Sequence, residues 1–244
     1  LFPYTTLFRS FFISAPFGNY LKFENAISVT GSWTVEPRPG LAMQILKTLR
    51  YVKSEGGWCW RNKIGLRNAG IHAGIKRRGS FDVLSIAPIH KWDWINFDSI
   101  IHEHQSIEVN ISCPNLDAHN DPTSYPYFDV FPKTKRYWCI CKIPPTSSTK
   151  LVDKIVDSGY NQIHASNTLP SEKGGLSGKV LVPHTLRLID YIKKTHPHVE
   201  VIAGGGVTER YHAQYYRNYG ADHVSLGTVC FTPWKINAII APDK

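Results

Sequence analysis

Along this chain, short apolar runs alternate with stretches in which apolar positions recur every three or four residues. The runs read as buried strands and the stretches as amphipathic helices. FFISA (11–15) and AISVTG (26–31) are predicted strands, and LAMQILKTLRYV (41–52) is a predicted helix with Leu41, Ile45, Leu49 and Val52 on one face. FDVLSIAP (81–88) is the third strand and WINFDSIIHEH (94–104) the helix after it. SIEVNIS (106–112) and YWCICKI (137–143) are strands four and five. SSTKLVDKIVDSG (147–159) has a full helix pattern: hydroxyl residues open it, Leu151, Val152, Ile155 and Val156 form its stripe, and Gly159 ends it. NQIHAS (161–166), VEVIAG (199–204) and HVSLG (223–227) are strands six to eight, separated by the helices TLRLIDYIKK (185–194) and TERYHAQYYRNYG (208–220). TPWKINAII (232–240) closes the pattern, with Thr232 expected as N-cap and Pro233 at the first helical position.

Nearly continuous apolar strands that alternate with helices imply a parallel sheet covered on both faces. Eight such units imply an α/β fold, a single-domain (β/α)8 TIM barrel with some shortened βα units, notably between strands four and five. The irregular stretch LDAHNDPTSYPYFDVFPKTK (116–135) follows a strand end and is expected to form a loop over the barrel mouth. The opening decapeptide LFPYTTLFRS (1–10) matches the translation of a common sequencing adapter. It is expected to be a scar outside the fold, with the natural N-terminus missing and residues 11–244 forming the barrel.

Composition changes this picture little. The 244 residues suit one barrel, and no apolar run approaches the ~20 residues that cross a bilayer. A net charge of +9 favours anionic ligands. The basic residues are scattered without an arm or stripe, so a phosphate cofactor and an acidic small-molecule substrate are expected rather than nucleic acid. The five cysteines, Cys59, Cys113, Cys139, Cys141 and Cys230, are odd in number and irregularly spaced. That is a poor disulfide framework and points to a reducing, cytoplasmic compartment. Alternation puts Cys139 and Cys141 on one strand face as buried structural thiols. His102-Glu103-His104 lacks the H-E-x-x-H zinc spacing, so no metal is expected. Tyr211, Tyr215, Tyr216 and Tyr219 read as a helix packing face, and Trp58, Trp60, Trp92 and Trp94 as core or rim.

In such barrels the chemistry sits at the C-terminal strand ends. Strand four ends Asn110-Ile111-Ser112-Cys113-Pro114-Asn115, where two amides and a thiol bracket a turn. They could hydrogen-bond a planar polar ring and set a base beside it, or form a turn around a buried cysteine. Strand six ends Ser166-Asn167-Thr168, followed by Gly174-Gly175-Leu176-Ser177-Gly178. Strand seven ends Gly204-Gly205-Gly206 and strand eight Gly227-Thr228. Glycines after two adjacent strands let backbone N–H groups approach a phosphate.

Together NISCPN (110–115), NTLPSEKGGLSG (167–178), AGGGV (203–207) and GADHVSLGT (220–228) resemble the dihydroorotate dehydrogenase family, over nearly the whole chain from residue 11. Arg61-Asn62-Lys63-Ile64-Gly65-Leu66 resembles its substrate-binding turn, and Gly31-Ser32-Trp33-Thr34 the segment after its second strand. The resemblance implies FMN-dependent oxidation of dihydroorotate to orotate in pyrimidine biosynthesis. Cys113 would take a proton from C5 of the substrate while a hydride leaves C6 for the flavin, and Lys142 would stabilise negative charge on the reduced flavin. Asn62, Gly65, Leu66, Asn110, Asn115, Asn167 and Thr168 would hold the substrate. Ala15, Ser32, Asn110, Lys142, Ser177, Gly178, Gly205, Gly206, Gly227 and Thr228 would hold FMN. Cysteine as base resembles the soluble classes, whereas the GSxT and GGLSG segments are closer to the quinone-linked class. The sequence does not name the electron acceptor, and a homodimer is compatible with it.

One departure stands out. The family's further active-site lysine falls here at Gly31 or about Asn19, and nearby Lys22 is a candidate replacement. Two other readings stay open on this ground: an FMN barrel acting on another dihydropyrimidine, and a barrel that binds a phosphorylated ligand without redox chemistry.

Overall fold

The computed structural model describes residues 10–112 and 127–241. Its strands, in chain order, are β1 (Phe11–Ile13), β2 (Ala26–Trp33), β3 (Arg50–Ser54), β4 (Gly57–Asn62), β5 (Val83–Ile86) and β6 (Ile107–Asn110). They continue with β7 (Cys139–Ile143), β8 (Gln162–Ala165), β9 (Leu169–Ser171), β10 (Gly174–Gly178), β11 (Glu200–Gly204) and β12 (His223–Leu226). The helices are α1 (Leu41–Thr48), α2 (Ile71–Arg77), α3 (Asp93–Ile100) and α4 (Thr149–Asp157). After them come α5 (Val182–Thr195), α6 (Arg210–Asn218) and α7 (Ile236–Ile240).

Eight strands close into a barrel in the order β1-β12-β11-β8-β7-β6-β5-β2, and every pair is parallel. Each contains or lies within one of the eight expected runs, so the TIM-barrel expectation holds. Alternation along the strands separates two cores. Ile13, Leu84, Val109, Cys141, Ile163, Val201 and Val224 face outward, into one cluster with the helices. Phe12, Val29, Val83, Trp138, Ile140 and Ile202 form a second cluster inside the barrel. Cys139 and Cys141 lie in the outer cluster as free thiols. Burial pushes Cys139 up to about 12 and Cys141 well above the ordinary thiol range.

Helix α4 forms as its pattern predicts. Ser148 Oγ accepts the Leu151 N–H at 3.2 Å, and Val152 and Ile155 are buried. Other expectations are corrected. The 41–52 helix ends at Thr48 and buries no residue, because Val52 belongs to β3. Gly174–Gly178 is a strand rather than a free loop: β10 pairs antiparallel with β4 and β9, giving a second sheet β3-β4-β10-β9. Of Tyr211, Tyr215 and Tyr216 on α6 and Tyr219 just beyond it, only Tyr216 is buried, and the others are exposed. Thr232 precedes a short 3-10 turn, and its hydroxyl donates back to Val229 O instead of capping a helix.

Residues 1–9 of the opening decapeptide lie outside the described residues. Its last residue, Ser10, donates N–H to His223 Nδ1 and accepts from Val224 N–H, both at 3.1 Å. Barrel hydrogen bonding therefore starts one residue before Phe11. No helix among the described residues is long and apolar enough to cross a membrane.

Candidate active site

A cavity of about 1100 Å³ opens at the C-terminal strand ends. Ala15 lies shortly after β1, Ser32 is next to last in β2, and Asn110 and Lys142 come from β6 and β7; all four line it. Asn167 and Thr168 enter after β8. The second sheet closes one side with Asn62 from β4 and Ser177 and Gly178 from β10, and the Gly65-Leu66 turn sits beside them. Gly205 and Gly206 beyond β11, and Gly227 and Thr228 beyond β12, complete the lining, with Gly206 next to Gly178. Thus every expected site residue within the described residues faces one cavity. Cys113 and Asn115 lie outside the described residues.

Hydrogen bonds fix the amides. Asn110 Nδ2 donates to Ser32 Oγ at 2.9 Å, while Asn110 Oδ1 accepts from Ser112 N at 3.1 Å and from Ser112 Oγ at 2.5 Å. Asn167 Nδ2 donates to Ser112 Oγ at 2.6 Å. Asn110 is therefore held by one serine on each side, Ser32 and Ser112, and Asn167 shares Ser112. On the glycine wall, Tyr216 of α6 donates its hydroxyl to Gly205 O at 2.8 Å, and Thr185 of α5 donates to Gly204 O at 2.8 Å. Two helices thus anchor the carbonyls of the turn, a geometry that could present its N–H groups to a phosphate.

The lining is cationic. Lys22, Arg38, Lys63, Arg67, Arg77 and Arg78 contribute to it, and Glu172 is the only acidic side chain among the described lining residues. Such a wall concentrates anions at the mouth. Lys22 itself is engaged: its Nζ lies 2.6 Å from Asp82 Oδ2. Gly31 and Asn19 bond to each other, Gly31 N–H to Asn19 Oδ1 at 3.0 Å. A Cβ on Gly31 would lie 2.4 Å from Ser85 O, so this backbone has no room for a side chain there.

Sequence reasoning missed Glu108, His164 and Ser85. They sit inside predicted strands, where polar residues pass as interruptions of an apolar run. The signal was their alternation: Glu108 and Asn110 point the same way on β6, and His164 is paired with Lys142. Glu108 accepts from His164 Nδ1 at 2.6 Å and from Ser85 Oγ at 2.8 Å, and lies 3.5 Å from Lys142 Nζ. Burial pushes the Glu108 carboxyl up, but Lys142, His164 and the two hydrogen bonds outweigh it and hold it at about 2. Burial, with the Lys142 charge, pushes His164 below its ordinary value despite Glu108, leaving the ring neutral with its proton on Nδ1.

No family model matches the chain. It is 28% identical over 245 residues to the dihydroorotate dehydrogenase B (NAD(+)) catalytic subunit of Thermotoga petrophila, covering 89% of this chain and 88% of that protein. The subunit of the same name from Pelobacter propionicus is 27% identical over 266 residues, covering 94% and 84%. The chain is thus similar over most of its length to catalytic subunits of the dihydroorotate dehydrogenase family. Enzymes of this family are oxidoreductases acting on CH–CH bonds. The family's barrel is also seen in the DHODH of Eimeria tenella crystallised with ferulenol. That structure has a TM-score of 0.72 at 18% identity and covers 93% of this chain and 78% of its own.

Proposed function

We propose that this chain oxidises dihydroorotate to orotate in pyrimidine biosynthesis, using FMN bound across the ends of β11 and β12. The observation that carries this reading is the convergence of Asn110, Asn167, Lys142 and two glycine turns on one cationic cavity. The residues present fit FMN. The glycine turns, with Ser177 and Thr228, supply donors for a phosphate, and Ala15, Ser32, Gly178 and Asn110 border the space for the ring. When bound, FMN accepts the hydride that leaves C6 of the substrate. Cys113 takes the proton from C5, so that one proton and one hydride leave and a C=C bond forms. Asn62, Asn110, Asn115, Asn167 and Thr168 hold the pyrimidine, with Gly65 and Leu66 shaping the turn beside it. Lys142 balances charge on the reduced ring. The relatives are named as catalytic subunits of an NAD(+) enzyme. That supports an electron acceptor reached through a second protein, and the free thiols support a reducing, cytoplasmic setting.

A second reading, oxidation of another dihydropyrimidine, is favoured by Gly31, which leaves no room for the family's lysine. A flavin absorbance spectrum before and after anaerobic addition of dihydroorotate, and of uncharged dihydrouracil, separates the two. Bleaching by dihydroorotate is expected, slowed by at least the ~10²-fold of general-base loss in Cys113→Ala. Bleaching by dihydrouracil alone moves the assignment to the second reading. A colourless protein rejects both.

A further inference from the structure

Barrels of this kind fill their interior with apolar layers, and the lower interior here does so. The layer above it is polar. Ser85 of β5, Glu108 of β6, Lys142 of β7 and His164 of β8 all turn inward, with relative exposures of 0%, 0%, 4% and 2%. A carboxylate this deep costs several kcal/mol unless it is paired and hydrogen-bonded. The mechanism above makes no use of Glu108 or His164.

We propose that Glu108 and His164 are positioning residues for Lys142 and Asn110. The Glu108 carboxylate anchors the Lys142 ammonium and sets the net charge beneath the flavin, and His164 fixes that carboxylate in place. This proposal rests on the FMN reading of the cavity. Three features support it. First, a lysine head rides on a flexible four-carbon stem, so its place is set by its partner. The 3.5 Å separation is an ion pair but longer than the ~2.7–2.9 Å of a charge-assisted hydrogen bond, which leaves the ammonium donors for another acceptor. Second, a one-way chain of hydrogen bonds ends on Glu108. Asn110 Nδ2 donates to Ser32 Oγ at 2.9 Å, Ser32 and Ser85 hydroxyls are 2.7 Å apart, and Ser85 donates to Glu108 Oε1 at 2.8 Å. An anion at its end can only accept, so the hydroxyls must point towards it. That direction fixes which face of the Asn110 amide looks at Ser32 and which at Ser112.

Third, the charges balance. Glu108 carries −1 and Lys142 +1, while His164, buried and neutral, donates through Nδ1 to Glu108 Oε2 at 2.6 Å. No other titratable side chain is hydrogen-bonded or ion-paired to this trio among the described residues. Glu108→Gln would leave an uncompensated ammonium next to the flavin, which favours the reduced, anionic ring.

The test uses FMN-loaded wild type, Glu108→Gln, His164→Leu and His164→Asn, whose amide can donate to Glu108 from the place of Nδ1. The flavin midpoint potential is measured by spectroelectrochemistry and the orotate dissociation constant by flavin absorbance. Glu108→Gln is expected to move the potential positive and to weaken orotate at least tenfold, because the Asn110 amide loses its fixed orientation. His164→Leu is expected to move both the same way by less, and His164→Asn to restore wild-type values. Wild-type potentials in all variants that hold flavin, or no difference between the leucine and asparagine variants, would overturn the proposal. The two histidine variants decide it if Glu108→Gln does not fold. The apoprotein gives a flavin-independent readout. In its 15N-histidine spectrum, His164 should be a neutral Nδ1-protonated ring at pH 7, a state lost in Glu108→Gln. A colourless wild type that keeps this signature rejects the FMN reading while leaving the Glu108–His164 anchor standing, and a spectrum without it rejects the anchor.

Discussion

Gly205 and Gly227 stand on the same wall for different physical reasons. Gly205 has φ +98°, and a Cβ there would lie 2.5 Å from Leu181 Cβ. Its lack of a side chain serves the packing of the chain itself. Gly227 has φ −110°, and a Cβ there would meet nothing nearer than Ser14 Oγ at 3.9 Å. A methyl at 227 would therefore project into the cavity without touching the protein. Gly205→Val is expected to destabilise the fold by about 1–3 kcal/mol through backbone strain, with any loss of flavin following from that. Gly227→Ala is expected to keep its melting temperature within a few degrees of wild type and weaken flavin binding about tenfold, measured by fluorescence on titrating the apoprotein. Unchanged flavin affinity in Gly227→Ala would mean that the phosphate does not sit against β12. The amides and glycines that line the cavity were legible in the sequence, because they cluster at predicted strand ends. Glu108 and His164 were not, because inside an otherwise apolar strand only the three-dimensional layer shows that polar residues meet.

At the scale of elements, the barrel strands were legible and the second sheet was not. Each barrel strand is buried on both faces and so reads as a compact apolar run. Apart from the buried Cys59, the strands β3 and β4, Arg50–Ser54 and Gly57–Asn62, mix exposed and half-buried residues with neither a clean alternation nor a run. Aromatic contacts help hold them to the barrel: Trp60 packs on Phe231 at 4.4 Å between ring centroids, and within the sheet Tyr51 packs on Trp60 at 5.1 Å. Trp60 also lines the cavity, between Asn62 and the turn after β12. Trp60→Ala is expected to loosen the sheet as a unit, as local opening of a low-stability element would. In hydrogen exchange, amides of residues 57–62 and 169–178 should lose protection while those of the eight barrel strands keep theirs. Orotate affinity should fall with them, since Asn62 rides on β4. Equal protection in both sheets would show that the second sheet is held by its backbone pairing alone.

Across the whole molecule, the buried polar layer makes stability depend on pH in a way that the outer core does not. The Glu108 carboxyl is lowered in the folded state to about 2 from 4.5. Its contribution is therefore fully present above pH 4.5 and is lost as the pH falls towards 2, on the order of 3 kcal/mol in all. His164 is lowered as well, from 6.5, by burial first and by the Lys142 charge second. A folded-state value below the unfolded one means that the folded protein binds fewer protons than the unfolded chain. The His164 contribution is thus full above about pH 6.5 and is lost as the pH drops below it. The His164 window opens at the higher pH, so acid should weaken the protein first through His164 and then through Glu108 as well. His164→Asn removes the titration but keeps a donor for Glu108. In urea unfolding at pH 7.5, 6, 5 and 4, wild type should lose stability between pH 7.5 and 5 more steeply than His164→Asn. Below pH 4.5 both should in addition lose the Glu108 contribution, because both then protonate Glu108. Parallel curves over the whole range would mean that His164 is not held neutral inside the barrel, and the charge balance beneath Lys142 would have to be redrawn.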